Sequence, residues 1–222
     1  MIFQLLRQVA SAYGLGLLSL LIVVLNPVHP FRGESSHRVE LADYSGDTED
    51  YELFRIYSVV KSRRMDLKDT SAWAISETIQ AESLKNSLDP LLVLAVIEVE
   101  SSFQHTAVSQ RGARGLMQIR PLVANALADK VDLGVDFAAQ EIHPEALDDP
   151  ILNIKLGAFY LQHLKKRFRD VKLALTAYNW GPTEISNRLD MEEAVPLDYA
   201  MKVLSAYHNY RRLHRLGSQQ KP

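Results

Sequence analysis

The 222-residue chain contains no cysteine. That excludes disulfides, thiolate metal sites, a cysteine nucleophile and a lipidated N-terminal cysteine. It also lacks a surplus of either charge, with 25 Lys+Arg against 27 Asp+Glu and a formal net charge of -2. A general nucleic-acid binder needs a basic surplus to displace counterions, so that class is set aside. No internal repeat, low-complexity tract or sustained two-residue alternation occurs. What is present is ordinary for a globular protein: 47% apolar and 23% charged residues. Neither a disordered nor a collagen-like chain has that balance.

The first thirty residues differ from the rest. Between Gln8 and His29 there is no Lys, Arg, Asp or Glu, and Val9 to Leu25 is almost wholly apolar. As a helix that run spans roughly 25 Å, the short end of what crosses a bilayer. Arg7 is the one charge before it, which favours a cytoplasmic N-terminus. The run ends in Asn26-Pro27-Val28-His29-Pro30, without the small residues of a cleavage site, so an uncleaved anchor over 1–28 is expected rather than a removed signal peptide. Residues 29–50 follow as a polar linker. From Glu34 to Glu52 seven acids (Glu34, Glu40, Asp43, Asp47, Glu49, Asp50 and Glu52) outnumber a single Arg, a solvated composition.

From about residue 51 to 215 helical spacing dominates. Leu53, Ile56, Tyr57 and Val60 form one stripe, and Asp69 reads as an N-cap for a second helix to about Ser83. Asp89-Pro90 and Asp149-Pro150 each combine a capping side chain with proline at the first helical position. Arg120-Pro121, Gly181-Pro182 and Pro196 open further helices. Tyr199, Val203, Ala206, Tyr207 and Tyr210 share a face of the last one. The expectation is an all-α domain of about eight short helices, with a basic tail end at 216–222.

The helix Leu91 to Glu100 is apolar all round for two turns, which predicts burial. Glu98 and Glu100 then fall in its last turn. The negative end of a helix dipole and burial both disfavour a carboxylate, so both raise its pKa. A carboxylic acid still protonated near neutral pH is what general acid catalysis requires. The helical wheel does not choose between the two acids, because positions two apart point to nearly opposite sides.

Beyond them stand Glu100-Ser101-Ser102-Phe103, then Ser109-Gln110-Arg111-Gly112-Ala113-Arg114-Gly115-Leu116-Met117-Gln118-Ile119, then Asp149 to Ile154 with Gly157, then Ala177-Tyr178-Asn179-Trp180-Gly181. In order and spacing these resemble the soluble-type lytic transglycosylase family, over roughly residues 89–188. The resemblance implies a goose-type lysozyme-like fold and cleavage of bacterial cell-wall glycan. It implies Glu100 as the catalytic acid and leaves Glu98 structural. It implies substrate contact by Ser109, Gly115, Leu116, Met117, Gln118, Tyr178 and Asn179, and matches Tyr199 to a final-helix tyrosine of the active site. Trp180 departs from the family's small residue at that place. Each position also has a plainer reading: Met117 as core filler, Gln118 and Asn179 as solvated amides, Tyr178 as a core tyrosine instead of one whose hydroxyl is placed on the acid, and Gly157 as a close helix contact. His105, His143 and His163 have no metal-ligand spacing, and neither a metal nor an organic cofactor is expected.

Most glycosidases use two carboxylates. The family's chemistry, carried over by resemblance, uses one. The acid protonates the oxygen between N-acetylmuramic acid and N-acetylglucosamine, the substrate's N-acetyl group stabilises the developing charge, and the muramyl 6-hydroxyl closes to a 1,6-anhydro end. The expected partners are therefore peptidoglycan strands and, through residues 1–28, the inner membrane, with the domain in the periplasm. Rivals are a goose-type muramidase, for which Asp132, Asp136, Glu141 and Glu184 are available second acids, and a catalytically idle wall-binding scaffold of an envelope machine.

Overall fold

The computed structural model describes residues 45–133 and 141–218. The expected membrane helix, most of the linker and Asp136 lie outside the described residues. Among those described, no helix is long and apolar enough to cross a membrane.

Eight α-helices are described: α1 (Ser45–Arg63), α2 (Asp69–Lys85), α3 (Pro90–Ser101), α4 (Pro121–Leu127), α5 (Pro150–Phe168), α6 (Val171–Trp180), α7 (Pro182–Asp190) and α8 (Asp198–Ser218). A 3-10 turn at Pro144–Asp148 precedes α5. Proline and aspartate punctuate them as expected. Asp89 accepts from Leu91 N–H at 2.9 Å and Asp149 from Leu152 N–H at 2.8 Å. Gly181, at φ 92, stops α6 in a conformation closed to most residues with a Cβ, and Pro182 begins α7.

Three boundaries differ from the sequence reading. α1 begins at Ser45, inside the stretch expected to be linker. Lys68, not Asp69, caps α2, because the Asp69 carboxylate is taken by Lys61 at 2.8 Å. The last helix starts at Asp198, two residues beyond Pro196, and continues through to Ser218.

α3 is the axis of the core. Val93, Leu94, Ala95, Val96 and Ile97 are completely buried, and its most extensive packing is against α8, with α2 beside it. Burial of each larger aliphatic side chain there is worth about 2 kcal/mol. α5 packs on α6 and α2, and α6 on α7 and α8. The long connection from Ser102 to Arg120 folds on itself. Ser109 N–H bonds Ala113 C=O at 2.9 Å, Arg114 and Ile119 exchange bonds at 3.0 Å, and Gly115 N–H bonds Ala107 C=O at 3.0 Å. These isolated bridges are the extended pairings among the described residues.

Candidate active site

The end of α3, the 107–119 loop, α6 and the start of α8 converge on Glu100. The loop is held by its backbone. Ser101 Oγ, at the end of α3, donates to Leu116 C=O at 2.8 Å. Met117 N–H donates to Asn153 Oδ1 at 2.7 Å, and Met117 C=O accepts from the Tyr178 hydroxyl at 2.8 Å. Asn153 Nδ2 donates in turn to Arg114 C=O at 2.8 Å and Leu147 C=O at 2.9 Å. One wholly buried amide of α5 thus fastens two points of the loop to the 3-10 turn. Gly115 sits against it at φ 80, and a Cβ there would collide with the Asn153 side chain and the Leu147 carbonyl. Gly157, one turn along α5, leaves room for the Met117 side chain.

Against this frame Glu100 is largely buried. The Tyr199 hydroxyl, from the first turn of α8, donates to its Oε1 at 2.5 Å. Burial raises the Glu100 pKa from 4.5 to about 7, and the Tyr199 hydrogen bond opposes that rise. Burial, reinforced by the charge of Glu100, lifts the phenols of both Tyr199 and Tyr178 well above their ordinary value. Both remain donors at any physiological pH. Because Tyr199 occupies Oε1, Oε2 is the oxygen left to carry a transferable proton.

Glu98 has different company. Arg63 Nη2 lies 2.6 Å from one of its oxygens, and the Tyr210 hydroxyl of α8 donates to the other.

The structure brings together part of the expected set. Glu100 and Tyr199 are in direct contact. Tyr178 lies in the same buried cluster, with its ring 5.3 Å from that of Tyr160, but its hydroxyl goes to the Met117 carbonyl and not to the acid. Leu116 and Met117 point into the core at 2% and 0% exposure. They serve the loop by packing and by backbone bonds. Gln118 adopts φ 49 and donates to Ala107 C=O at 2.9 Å and Gly115 C=O at 3.1 Å, closing the loop. Ser109 is exposed, and its hydroxyl accepts the Ala113 N–H at 3.0 Å, bracing a turn. Asn179 is exposed at the end of α6. Trp180 is half-exposed, with the Arg188 guanidinium 5.8 Å from its ring centre. Of the candidate second acids, Glu184 is bound to Arg188 at 2.7 Å and Glu141 is exposed. His105 Nδ1 lies 3.1 Å from Asp148 C=O, and His143 and His163 are exposed.

Asn153, Ser101 and Tyr160 are absent from the sequence-derived site. Asn153 had a legible signal: a polar residue one turn before Gly157, on the face of α5 that also carries Leu156 and Leu164. Ser101 had only its motif, and Tyr160 had none, since its partner Tyr178 stands on another helix.

The family whose profile matches residues 77–197, more than half of the chain, is described as the transglycosylase SLT domain. The chain is 39% identical over 108 residues to a transglycosylase of Enterobacteria phage PRD1, covering 49% of this chain and 35% of that protein. It is 34% identical over 97 residues to the membrane-bound lytic murein transglycosylase E of Buchnera aphidicola, covering 44% of this chain and 42% of that one. The chain therefore spans well under half the length of these relatives. An X-ray structure of an inactive mutant of the lytic transglycosylase Slt from Pseudomonas aeruginosa superposes with a TM-score of 0.51 at 28% identity, over 62% of this chain and 24% of that one. The helical domain built around α3 has the fold of that enzyme's matched part.

Proposed function

We propose, from the premise that this chain belongs to the transglycosylase SLT domain family, that it cleaves the β-1,4 bond between N-acetylmuramic acid and N-acetylglucosamine in peptidoglycan without consuming water. The observation that carries this reading is Glu100 itself: a buried carboxyl with a pKa of about 7, one oxygen engaged by Tyr199 and the other free.

Glu100 Oε2 donates its proton to the glycosidic oxygen as the C1–O bond breaks. The electron pair of that bond leaves with the N-acetylglucosamine oxygen. The substrate's own N-acetyl carbonyl stabilises the positive charge left at C1. Glu100, now a carboxylate, accepts the proton of the muramyl 6-hydroxyl while O6 bonds to C1. The product ends in 1,6-anhydro-N-acetylmuramic acid, and Glu100 is again protonated. A group titrating near 7 serves both steps, since acid and base forms are both accessible at neutral pH. Attack from within the same sugar has a large effective-concentration advantage over water. The Tyr199 hydroxyl stabilises the transient carboxylate and holds it in place.

Membrane attachment through residues 1–28, with the catalytic domain in the periplasm, belongs to the same proposal. Its support is the uncharged stretch from Gln8 to His29 and the membrane-bound relatives. Digestion of purified cell wall followed by mass spectrometry tests the activity. Anhydro-muropeptides, lighter than reducing-end products by one water, are expected. Reducing ends alone would assign a hydrolase, and no soluble product a binding protein.

A further inference from the structure

We propose that Arg64 is a positioning residue for Glu100: its guanidinium straps the turn Ser102–Phe103 and so fixes the end of α3 from which the acid projects. The proposal rests on the reading of Glu100 as the reacting acid.

Arg64 follows α1 directly, its N–H bonding Val60 C=O at 2.9 Å, and it precedes the residues matched by the family profile. Each of its three nitrogens makes a hydrogen bond. Nη1 donates to Phe103 C=O at 2.8 Å, while Nε and Nη2 donate to the two oxygens of Asp66, each at 2.8 Å. A planar fork gripped on one edge by a carboxylate has its plane fixed, and with it the direction in which Nη1 donates. The hydrogen bond from Arg64 holds the Asp66 carboxyl down at about 2, so that grip is constant over the whole range in which Glu100 titrates.

The turn needs holding. Ser102 and Phe103 lie at φ 50 and 64, two successive left-handed residues that both carry a Cβ. The Phe103 ring is buried at 2% exposure, so the turn cannot relax without withdrawing an aromatic ring from the core. Between Glu100 and the strapped carbonyl stand only Ser101 and Ser102. Ser101 ties the same helix end to Leu116, and Ser102 N–H closes on Glu98 C=O at 3.0 Å. The neighbouring Arg63 grips Glu98 on the other side of that end. The titratable groups facing Glu100 are Tyr199 from α8 and Tyr178 from α6. Arg64 acts on neither, and its influence runs through the turn.

The test uses the full chain as wild type, Arg64→Ala and Arg64→Lys. The Glu100 carboxyl carbon is titrated by NMR, assigned with Glu100→Gln, and kcat and KM for muropeptide release are measured against pH. Loss of the strap should admit water beside Glu100. Arg64→Ala should then lower the titration midpoint from about 7 towards the ordinary carboxylate range and cut kcat about ten-fold or more, with KM within two-fold. Arg64→Lys keeps one donor for the Phe103 carbonyl and should recover most of both. Should Arg64→Ala fail to fold, Arg64→Met, which keeps the aliphatic stem and loses every donor, decides: a fall in its midpoint supports the strap, and none overturns it. An Arg64→Ala protein that only melts earlier, with the Glu100 midpoint and kcat unmoved, overturns the proposal. If the wild type releases no anhydro product, the enzymatic reading fails, and the NMR midpoints still judge Arg64.

Discussion

On one side of the last turn of α3, Glu98 meets the Arg63 guanidinium and the Tyr210 hydroxyl; on the other, Glu100 is largely buried and meets the Tyr199 hydroxyl. Both carboxyls hang from the negative end of the same helix. The dipole therefore does not distinguish them. What differs is the partner each face receives from α1 and α8. A cation beside Glu98 compensates its charge and makes it a tie between three helices. With none beside Glu100 among the described residues, burial dominates and the carboxyl keeps its proton to about pH 7. Under the proposed function, stability and chemistry fall on the two faces of one turn.

Replacing each acid by its amide probes that division, and Glu100→Gln should give the largest effect. Muropeptide release should fall by roughly 10³-fold or more, because no proton is available for the leaving oxygen. The same change should stabilise the fold at high pH. The folded-state pKa of about 7 lies above the ordinary 4.5, so the native state binds a proton that the unfolded chain has already lost between those values. That contribution is complete below about 4.5 and is lost as pH rises through 7, amounting to about 3 kcal/mol. Melting curves should therefore coincide near pH 4 and separate by pH 8, with Glu100→Gln the more stable. Coincident curves at both pH values would put Glu100 in water and remove the contrast.

Glu98→Gln should behave in the opposite way. Activity should stay within about two-fold of wild type, while stability drops about 1–2 kcal/mol as Arg63 loses its anionic partner. Arg63 is 47% exposed, which holds the loss to the low end. An inactive Glu98→Gln beside an active Glu100→Gln would exchange the two roles.

The two acids also mark where the sequence is legible. Local signals carried well: Asp89-Pro90, Asp149-Pro150 and Gly181-Pro182 set helix boundaries because cap, proline and glycine act within a few residues of themselves. The apolar run Leu91 to Ile97 announced the buried axis. Asp69 failed as a cap because Lys61, on the preceding helix, competes for its carboxylate. The wheel did not separate Glu98 from Glu100 because their deciding partners, Tyr210 and Tyr199, lie about a hundred residues away. The family motif favoured Glu100 where local physics was silent. That motif also marked Leu116 and Met117 as contacts, whereas the fold uses their backbone groups and buries their side chains. A motif fixes a place in the fold more firmly than it fixes which atoms of a residue work there.

Tyr199→Phe sharpens the Glu100 side alone. The lost hydrogen bond opposes the effect of burial, so its removal should raise the Glu100 pKa further above 7. The loss of activity that accompanies deprotonation should shift to higher pH. At neutral pH kcat should fall by about ten-fold, since the carboxylate formed in the first step loses a hydrogen bond. A shift of that limb to lower pH would mean that Tyr199 acts by shielding Glu100 from water instead.

Trp180→Ala should have the smallest effect, and it asks how far the Glu100 side extends. Trp180 follows Tyr178 by two positions on α6, so the two rings leave the helix in nearly opposite directions. Tyr178 enters the buried cluster around Glu100, whereas Trp180 is 46% exposed and meets Arg188. Arg188 is itself occupied by Glu184 at 2.7 Å and by Ala194 C=O at 3.2 Å, so the indole caps an ion pair on α7. A half-exposed cation–π contact is worth about 0.5–1 kcal/mol. Trp180→Ala should lower stability by no more than that, with KM for glycan and the Glu100 pH limb unchanged. A several-fold rise in KM at constant kcat would instead make the indole a sugar-binding face at the end of α6.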